Sequence, residues 1–175
     1  MNNIEQLIGL LDRFKLGFYH FTDERNLDSI RAHGLLSMRE LRDRGIEPVA
    51  GGNQWSFEAD LRAGMDAFVH LCFLRQHPME WSARQDGRIE RTRFLHVAPE
   101  VLMLPGVMIT DQVSNKSGVV PKPANDMIPS LDFKVMYTRT DWKDPAIQDR
   151  RQRAKLYEIL VPISVPPDLI KNLNG

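Results

Sequence analysis

Leu156-Tyr157-Glu158-Ile159-Leu160-Val161-Pro162 sets one carboxylate inside an apolar run near the end of the chain. Read as a strand, it puts Leu156, Glu158 and Leu160 on one face and Tyr157, Ile159 and Val161 on the other, because strand side chains alternate. A carboxylate among apolar neighbours is costly to bury unless it is paired, hydrogen-bonded or open to a cleft. The competing reading is an edge strand whose glutamate points into water. Just upstream, Arg150-Arg151-Gln152-Arg153-Ala154-Lys155 carries four cations in six residues. A carboxylate at the mouth of a basic segment points to work on an anionic substrate.

Outward from that run, periodicity and punctuation divide the rest of the chain. Ile4, Leu7, Ile8, Leu11 and Phe14 recur at helical spacing, and Gly17 ends that helix. Phe18 to Thr22 reads as a short strand. Thr22 or Asp23 caps a second helix through Leu27 and Ile30, closed by Gly34. Met38 to Arg44 is a helical turn, Gly45 to Ser56 a loop and Phe57 to Met65 a helix. Ala67 to Leu74, Arg93 to Val97 and Val107 to Thr110 are strand candidates. Asp111 to Asp132 is polar and rich in Pro, Gly, Ser and Asn, hence irregular. Pro145 to Ala154 is a helix leading into the strand that carries Glu158. Helices cluster early and strands late, which favours an α+β fold over regular βαβ alternation.

Composition bounds the class. The 175 residues are 42% hydrophobic and 26% charged, the profile of a soluble globular domain, and one domain over residues 1–175 is expected. The single cysteine, Cys72, rules out an internal disulfide and fits a reducing cytoplasm. No stretch approaches the length of a membrane span, and the N-terminus lacks the pattern of a signal peptide. With 23 cations against 23 anions, a strongly basic nucleic-acid binder is excluded, though a local basic groove is not.

Common chemical motifs are absent. His20, His70, His77 and His96 with Cys72 show no paired zinc-ligand spacing, and no metal is expected. Neither glycine-rich phosphate loop occurs, nor does a nucleophile elbow. Cys72 lies mid-strand between apolar residues and reads as a buried thiol.

Three ordered segments carry a family resemblance. Phe18-Tyr19-His20-Phe21-Thr22-Asp23-Glu24-Arg25-Asn26-Leu27-Asp28-Ser29-Ile30, then His33-Gly34-Leu35-Leu36, resembles the opening of DarT-type toxins, ADP-ribosyltransferases that modify DNA bases using NAD. The second segment runs from Gly51-Gly52-Asn53-Gln54-Trp55-Ser56 through Asp60 and Gly64 to Val69-His70-Leu71-Cys72-Phe73 and Pro78-Met79. The third, Tyr157-Glu158-Ile159-Leu160-Val161-Pro162, is similar to the family strand that carries its glutamate. The resemblance spans residues 18 to 165.

It implies a split, mixed β-sheet with flanking helices and NAD as co-substrate in the cleft between two half-sheets. Cleaving the nicotinamide–ribose bond develops positive character on the ribose, so a carboxylate must hold that sugar. Glu158 takes this role. His20 with Phe21, Thr22 and Asn26 would contact NAD, and His70 would line the pocket. Arg62 is the first candidate for the catalytic arginine and Arg44 the second. Trp142 and Trp81 would stack on bases, with Arg150 and Arg151 on phosphates of single-stranded DNA. A macrodomain-type antitoxin partner and a cytoplasmic location are implied as well. The same fold acting on RNA or protein, or a non-catalytic nucleic-acid-binding module, are the alternative readings.

Overall fold

The computed structural model describes residues 2–174. Its strands are β1 (Phe18–Asp23), β2 (Leu35–Leu36), β3 (Phe68–Cys72), β4 (Thr92–Val97), β5 (Met108–Thr110), β6 (Lys122–Pro123), β7 (Glu158–Pro162) and β8 (Ser164–Val165). Six of them form one sheet in the order β4-β1-β3-β7-β5-β6, and β2 pairs with β8. β7 lies inside the sheet because its apolar run is buried on both faces: Ile159, Leu160 and Val161 are all fully buried. The edge-strand reading of Glu158 is thereby removed.

Register places the glutamate. Glu158 lies opposite Cys72 of β3 on one side and Thr110 of β5 on the other. β1 pairs with β4 along its whole length, from Phe18↔Val97 to Asp23↔Thr92. Against β3, by contrast, it makes the single pairing Tyr19↔Cys72. Beyond that point the strands part, and His20 Nδ1 reaches the His70 carbonyl at 2.9 Å where a backbone ladder would have continued. This junction is the split in the sheet. The pairings of the described residues are all antiparallel, where the resemblance implies a mixed sheet.

The helices are α1 (Asn3–Arg13), α2 (Leu27–His33), α3 (Met38–Asp43), α4 (Gln54–Ala63), α5 (Pro78–Gln85), α6 (Ala124–Met127), α7 (Phe133–Tyr137) and α8 (Pro145–Ala154). α1 starts at a capping box between Asn2 and Glu5 and buries Leu7 and Leu11, while Phe14 lies past its end, exposed. α4 begins three residues earlier than its periodicity suggests because the Asn53 side chain caps it, accepting from the Ser56 N–H. Three helices fall where none is expected, among them α7, whose N-cap Asp132 accepts from the Val135 N–H. α5 opens on Pro78 with His77 as its N-cap, and α6 sits inside the polar 111–132 stretch, tied to α1 through Asn3 and Asn125. Phe18, Leu71, Phe73, Leu95, Val97, Ile109, Ile159 and Val161 form the centre of the core. No helix among the described residues is long and apolar enough to cross a membrane.

Gly34 couples α2 to the β2–β8 pair. Its φ of 77° lies in the left-handed region, and a Cβ there would meet the Val165 carbonyl oxygen at 2.2 Å. Gly64, with a φ of 72°, has nothing within 4 Å of that position. Gly34→Ala is therefore expected to cost more than the roughly 1 kcal/mol of a left-handed non-glycine residue, whereas Gly64→Ala costs about that amount alone. Urea unfolding of the two variants checks this, and equal losses would contradict it.

Candidate active site

A cavity of about 290 Å³ opens where β1 and β3 part. Consecutive β1 residues His20, Phe21 and Thr22 all line it. A strand allows that only along an open edge, since alternate side chains leave on opposite faces. Further wall comes from the stretch between Arg25 and Leu41, from the 46–52 loop, from Ser56, Phe57 and Asp60 of α4, and from β3, including His70 and Cys72. Val113, Ser114 and Asn115 close it beside Glu158.

Glu158 is 6% exposed, and its two oxygens differ. Oε2 accepts the Ser114 backbone N–H at 3.0 Å and lies 3.5 Å from His70 Nδ1. Oε1 has His77 Nε2 at 4.0 Å, beyond hydrogen-bond range. Burial pushes the carboxyl pKa up, but the bonds from His70 and Ser114 outweigh burial and hold it below the ordinary glutamate value. The group is an ionised carboxylate with one oxygen held and one free.

Three histidines surround it in different states. His20 donates from Nδ1 to the His70 carbonyl; burial, and the nearby His70 and His77, lower its pKa. A neutral ring donating from Nδ1 leaves Nε2 as an acceptor. His77 accepts the Met79 N–H at Nδ1, stacks on Phe21 and is likewise lowered by burial. His70 behaves oppositely. Burial acts to lower it, yet Glu158, Asp60 and the Met65 carbonyl overcome that and raise it above its ordinary value. Its side chain is 28% exposed, so the opposing effect of burial is weaker than for a closed core group.

The other expected residues separate into two groups. Thr22 lines the cavity and is buried. Asn26 lines it too, but its amide is spent: Nδ2 donates to Thr22 Oγ1 and the Val49 carbonyl, and Oδ1 accepts the Val49 N–H. It pins the loop that walls the cavity. Arg62 is exposed on α4 outside the cavity lining, and Arg44 pairs with Glu40. The arginine in the lining is Arg25, half exposed and bonded to the buried carboxylate of Asp23.

The basic segment divides likewise. Arg150 donates twice to Asp132, at 2.6 and 2.8 Å, which joins α8 to the start of α7. Arg153 pairs with Asp149. Arg151 and Lys155 instead line a second groove, of about 550 Å³, with Arg75 and Trp142 and no carboxylate residue in its lining. Trp142 is 63% exposed, with Lys143 over its ring. Leu74, Arg75 and Gln76 line this groove, while Cys72 and His77 line the cavity. One short segment thus borders both spaces. Trp81 is exposed on α5 and lines neither.

Asp60, Ser114 and His77 line the site, although sequence reading assigns none of them a role in it. Pro78 at the first position of a helix marks His77 as its cap. Ser114 sits in an irregular stretch with no local signal. Asp60, raised by burial, accepts from Asn115 at 2.9 Å and so ties α4 to the Ser114 loop. Among the described residues, no group of three or more His, Cys, Asp or Glu is arranged to hold a metal ion.

The His70–Glu158 pair has a signature in stability. Glu158 is depressed, so its contribution is present above its unfolded value of about 4.5 and lost as pH falls through the folded one. His70 is raised, so its contribution is complete below 6.5 and lost as pH rises through the folded value. The melting temperature should fall on both flanks, and Glu158→Gln should abolish the alkaline fall. An alkaline fall unchanged in that variant would contradict the pairing.

Comparison with known proteins supplies the family. Thermus sp. 2.9 DarT in complex with ADP-ribosylated ssDNA has the same fold, with a TM-score of 0.64 at 20% identity over 87% of this chain and 78% of that one. The same Thermus protein in complex with NAD+ gives 0.59 at 19% identity, covering 88% and 78%. Thermosipho africanus DarTG in complex with ADP-ribose gives 0.63 at 19% identity, over 89% of this chain but 43% of that one. Curated proteins include no significant match. The sequence model of DarT, described as ssDNA thymidine ADP-ribosyltransferase, matches residues 19–173. With nearly its whole length matched, the chain belongs to the DarT family of ssDNA thymidine ADP-ribosyltransferases.

Proposed function

We propose that this chain transfers ADP-ribose from NAD to thymidine of single-stranded DNA, with Glu158 as the catalytic carboxylate. The observation that carries the assignment is the ionised Glu158 at the cavity with Oε2 held and Oε1 free. NAD supplies a glycosidic bond to a positively charged pyridinium leaving group. Oε1 accepts a hydrogen bond from the ribose, and its charge offsets the positive character that grows there as the bond breaks. His20 Nε2 offers a second acceptor for a ribose hydroxyl. As the base nitrogen bonds to the ribose and the nicotinamide departs, the nitrogen releases a proton, which the ionised Oε1 can receive. Arg25, half exposed in the cavity wall, is better placed than Arg62 or Arg44 to meet the pyrophosphate.

The groove of Arg75, Trp142, Arg151 and Lys155 is the proposed path of the DNA strand. Its cations form no ion pair among the described residues and suit phosphates, and its exposed indole suits an unstacked base. Because it adjoins the cavity through residues 72–77, a strand lying in it brings one base to Glu158. A net charge of zero is compatible with this, since a few local cations suffice. Action as a cytoplasmic toxin, countered by a macrodomain-type antitoxin, completes the proposal; the Thermosipho DarTG relative supports the partner.

Labelled NAD offered with single-stranded DNA, RNA or bulk protein tests the reading. Label should enter DNA, and Glu158→Gln should lower transfer by more than about 100-fold. Label in RNA or protein alone would replace the acceptor, and full activity in the variant would remove Glu158 from catalysis. Replacing Arg151 and Lys155 with glutamine should flatten the salt dependence of single-strand binding by up to about 1.4 in slope, about 0.7 per phosphate contact. NAD affinity should stay the same. Replacing Arg150 should instead lower stability by unpairing Asp132.

A further inference from the structure

We propose that His70 is a positioning residue for Glu158: its ring, anchored on the Met65 carbonyl, grips Oε2 and leaves Oε1 as the oxygen offered to substrate. The inference rests on Glu158 being the catalytic carboxylate. Cys72 is the residue paired with Glu158, so His70, two residues earlier on β3, is its diagonal neighbour on the same face. That spacing lets an imidazole reach across to the carboxylate.

The proton positions follow from the acceptors. His70 Nε2 lies 3.0 Å from the Met65 carbonyl oxygen, which can only accept, so Nε2 carries a hydrogen. Nδ1 lies 3.5 Å from Glu158 Oε2 and 3.4 Å from Ser114 Oγ. A neutral ring would turn the Nδ1 lone pair toward a carboxylate, which repels it. A ring protonated on both nitrogens donates from Nε2 to the Met65 carbonyl and directs the Nδ1–H and its charge toward Ser114 Oγ and the carboxylate. Gly64, left-handed at the end of α4, turns the chain so that the Met65 carbonyl lies beside the ring.

Every charged or titratable group facing His70 bears on this state. Glu158 of β7 and Asp60 of α4 favour the charged ring. His20 of β1 and His77, the N-cap of α5, face it as well, and both are depressed toward neutrality. The two carboxylates thus face one cation. Ser114 N–H and His70 both act on Oε2 from different elements, so the carboxylate cannot rotate without losing two interactions. His70 therefore fixes the orientation of Glu158 instead of binding NAD.

Two conservative variants separate this role from a contact with NAD. In His70→Asn the amide can replace the Nδ1 donor toward Glu158, whereas in His70→Gln it replaces the Nε2 donor toward Met65. Wild-type kcat is expected to fall at alkaline pH as His70 loses its charge. His70→Asn should keep most of kcat and lose that alkaline limb. His70→Gln should lose about 10- to 100-fold in kcat, with KM for NAD changed less than about threefold. A kcat for His70→Gln within twofold of wild type, or a loss confined to KM, overturns the proposal. Nitrogen-15 NMR of the His70 ring in the whole chain gives a reading independent of transfer. Both nitrogens should be protonated at neutral pH, and the titration should drop in Glu158→Gln. A singly protonated ring in the wild type overturns the proposal. A doubly protonated ring in a protein whose Glu158→Gln variant stays active would instead overturn the catalytic assignment of Glu158.

Discussion

A carboxylate 6% exposed in the middle of a sheet is the constraint around which this molecule is arranged. Burying such a charge without partners costs several kcal/mol, so its neighbours must supply donors. β3 brings His70, and the 113–115 loop brings a backbone N–H. The loop has little regular structure of its own, and the Glu158 and Asp60 bonds hold it against the cavity. Two other buried carboxylates near the cavity are met differently. Asp23 is neutralised by Arg25 and by the backbone N–H groups of Arg25 and Glu90; Asp66 is held by Arg39 and Arg42. Both bind arginine through both oxygens, which leaves neither carboxylate an oxygen for a substrate. Glu158 has donors on one oxygen only, and that asymmetry makes it chemically available.

The opening in the sheet follows from where pairing stops. β1 is committed along its length to β4, and β3 to β7, with a single pairing between the two halves. Freed from the ladder, the edges of β1 and β3 expose consecutive residues to one space. The backbone groups there are met by side chains instead, as His20 meets the His70 carbonyl. Asn26 does the same for the loop at Val49. The cavity is thus enclosed by hydrogen bonds that would otherwise have been sheet, and its walls are preformed.

Much of this was legible in the sequence. The α+β class, the strands around Phe18, Val69 and Ile159, and an isolated glutamate in an apolar run followed from periodicity and burial cost. Family membership was legible from three ordered segments. Local pattern could not show what depends on distant partners. The start of α4 was misplaced because a cap at Asn53 outweighs the glycine-rich look of the preceding loop. α6 was hidden in a polar stretch because its burial comes from packing by α1. Among the basic residues, sequence put Arg150 and Arg151 alike on phosphates, but Asp132, 18 residues before Arg150, claims that side chain and leaves Arg151 and Lys155 in the groove. Asn26 was read as a ligand contact alongside His20, Phe21 and Thr22, but its amide is bonded to Thr22 and to the backbone at Val49.

The proposed function requires the cavity between the two half-sheets to present Glu158 Oε1 to the ribose of NAD. A crystal structure of the Glu158→Gln chain with NAD tests it most directly. The nicotinamide ribose is expected between His20 and residue 158, with a ribose hydroxyl within hydrogen-bond distance of the glutamine side chain. NAD seated in another groove, or in this cavity with its ribose turned away from residue 158, would contradict it.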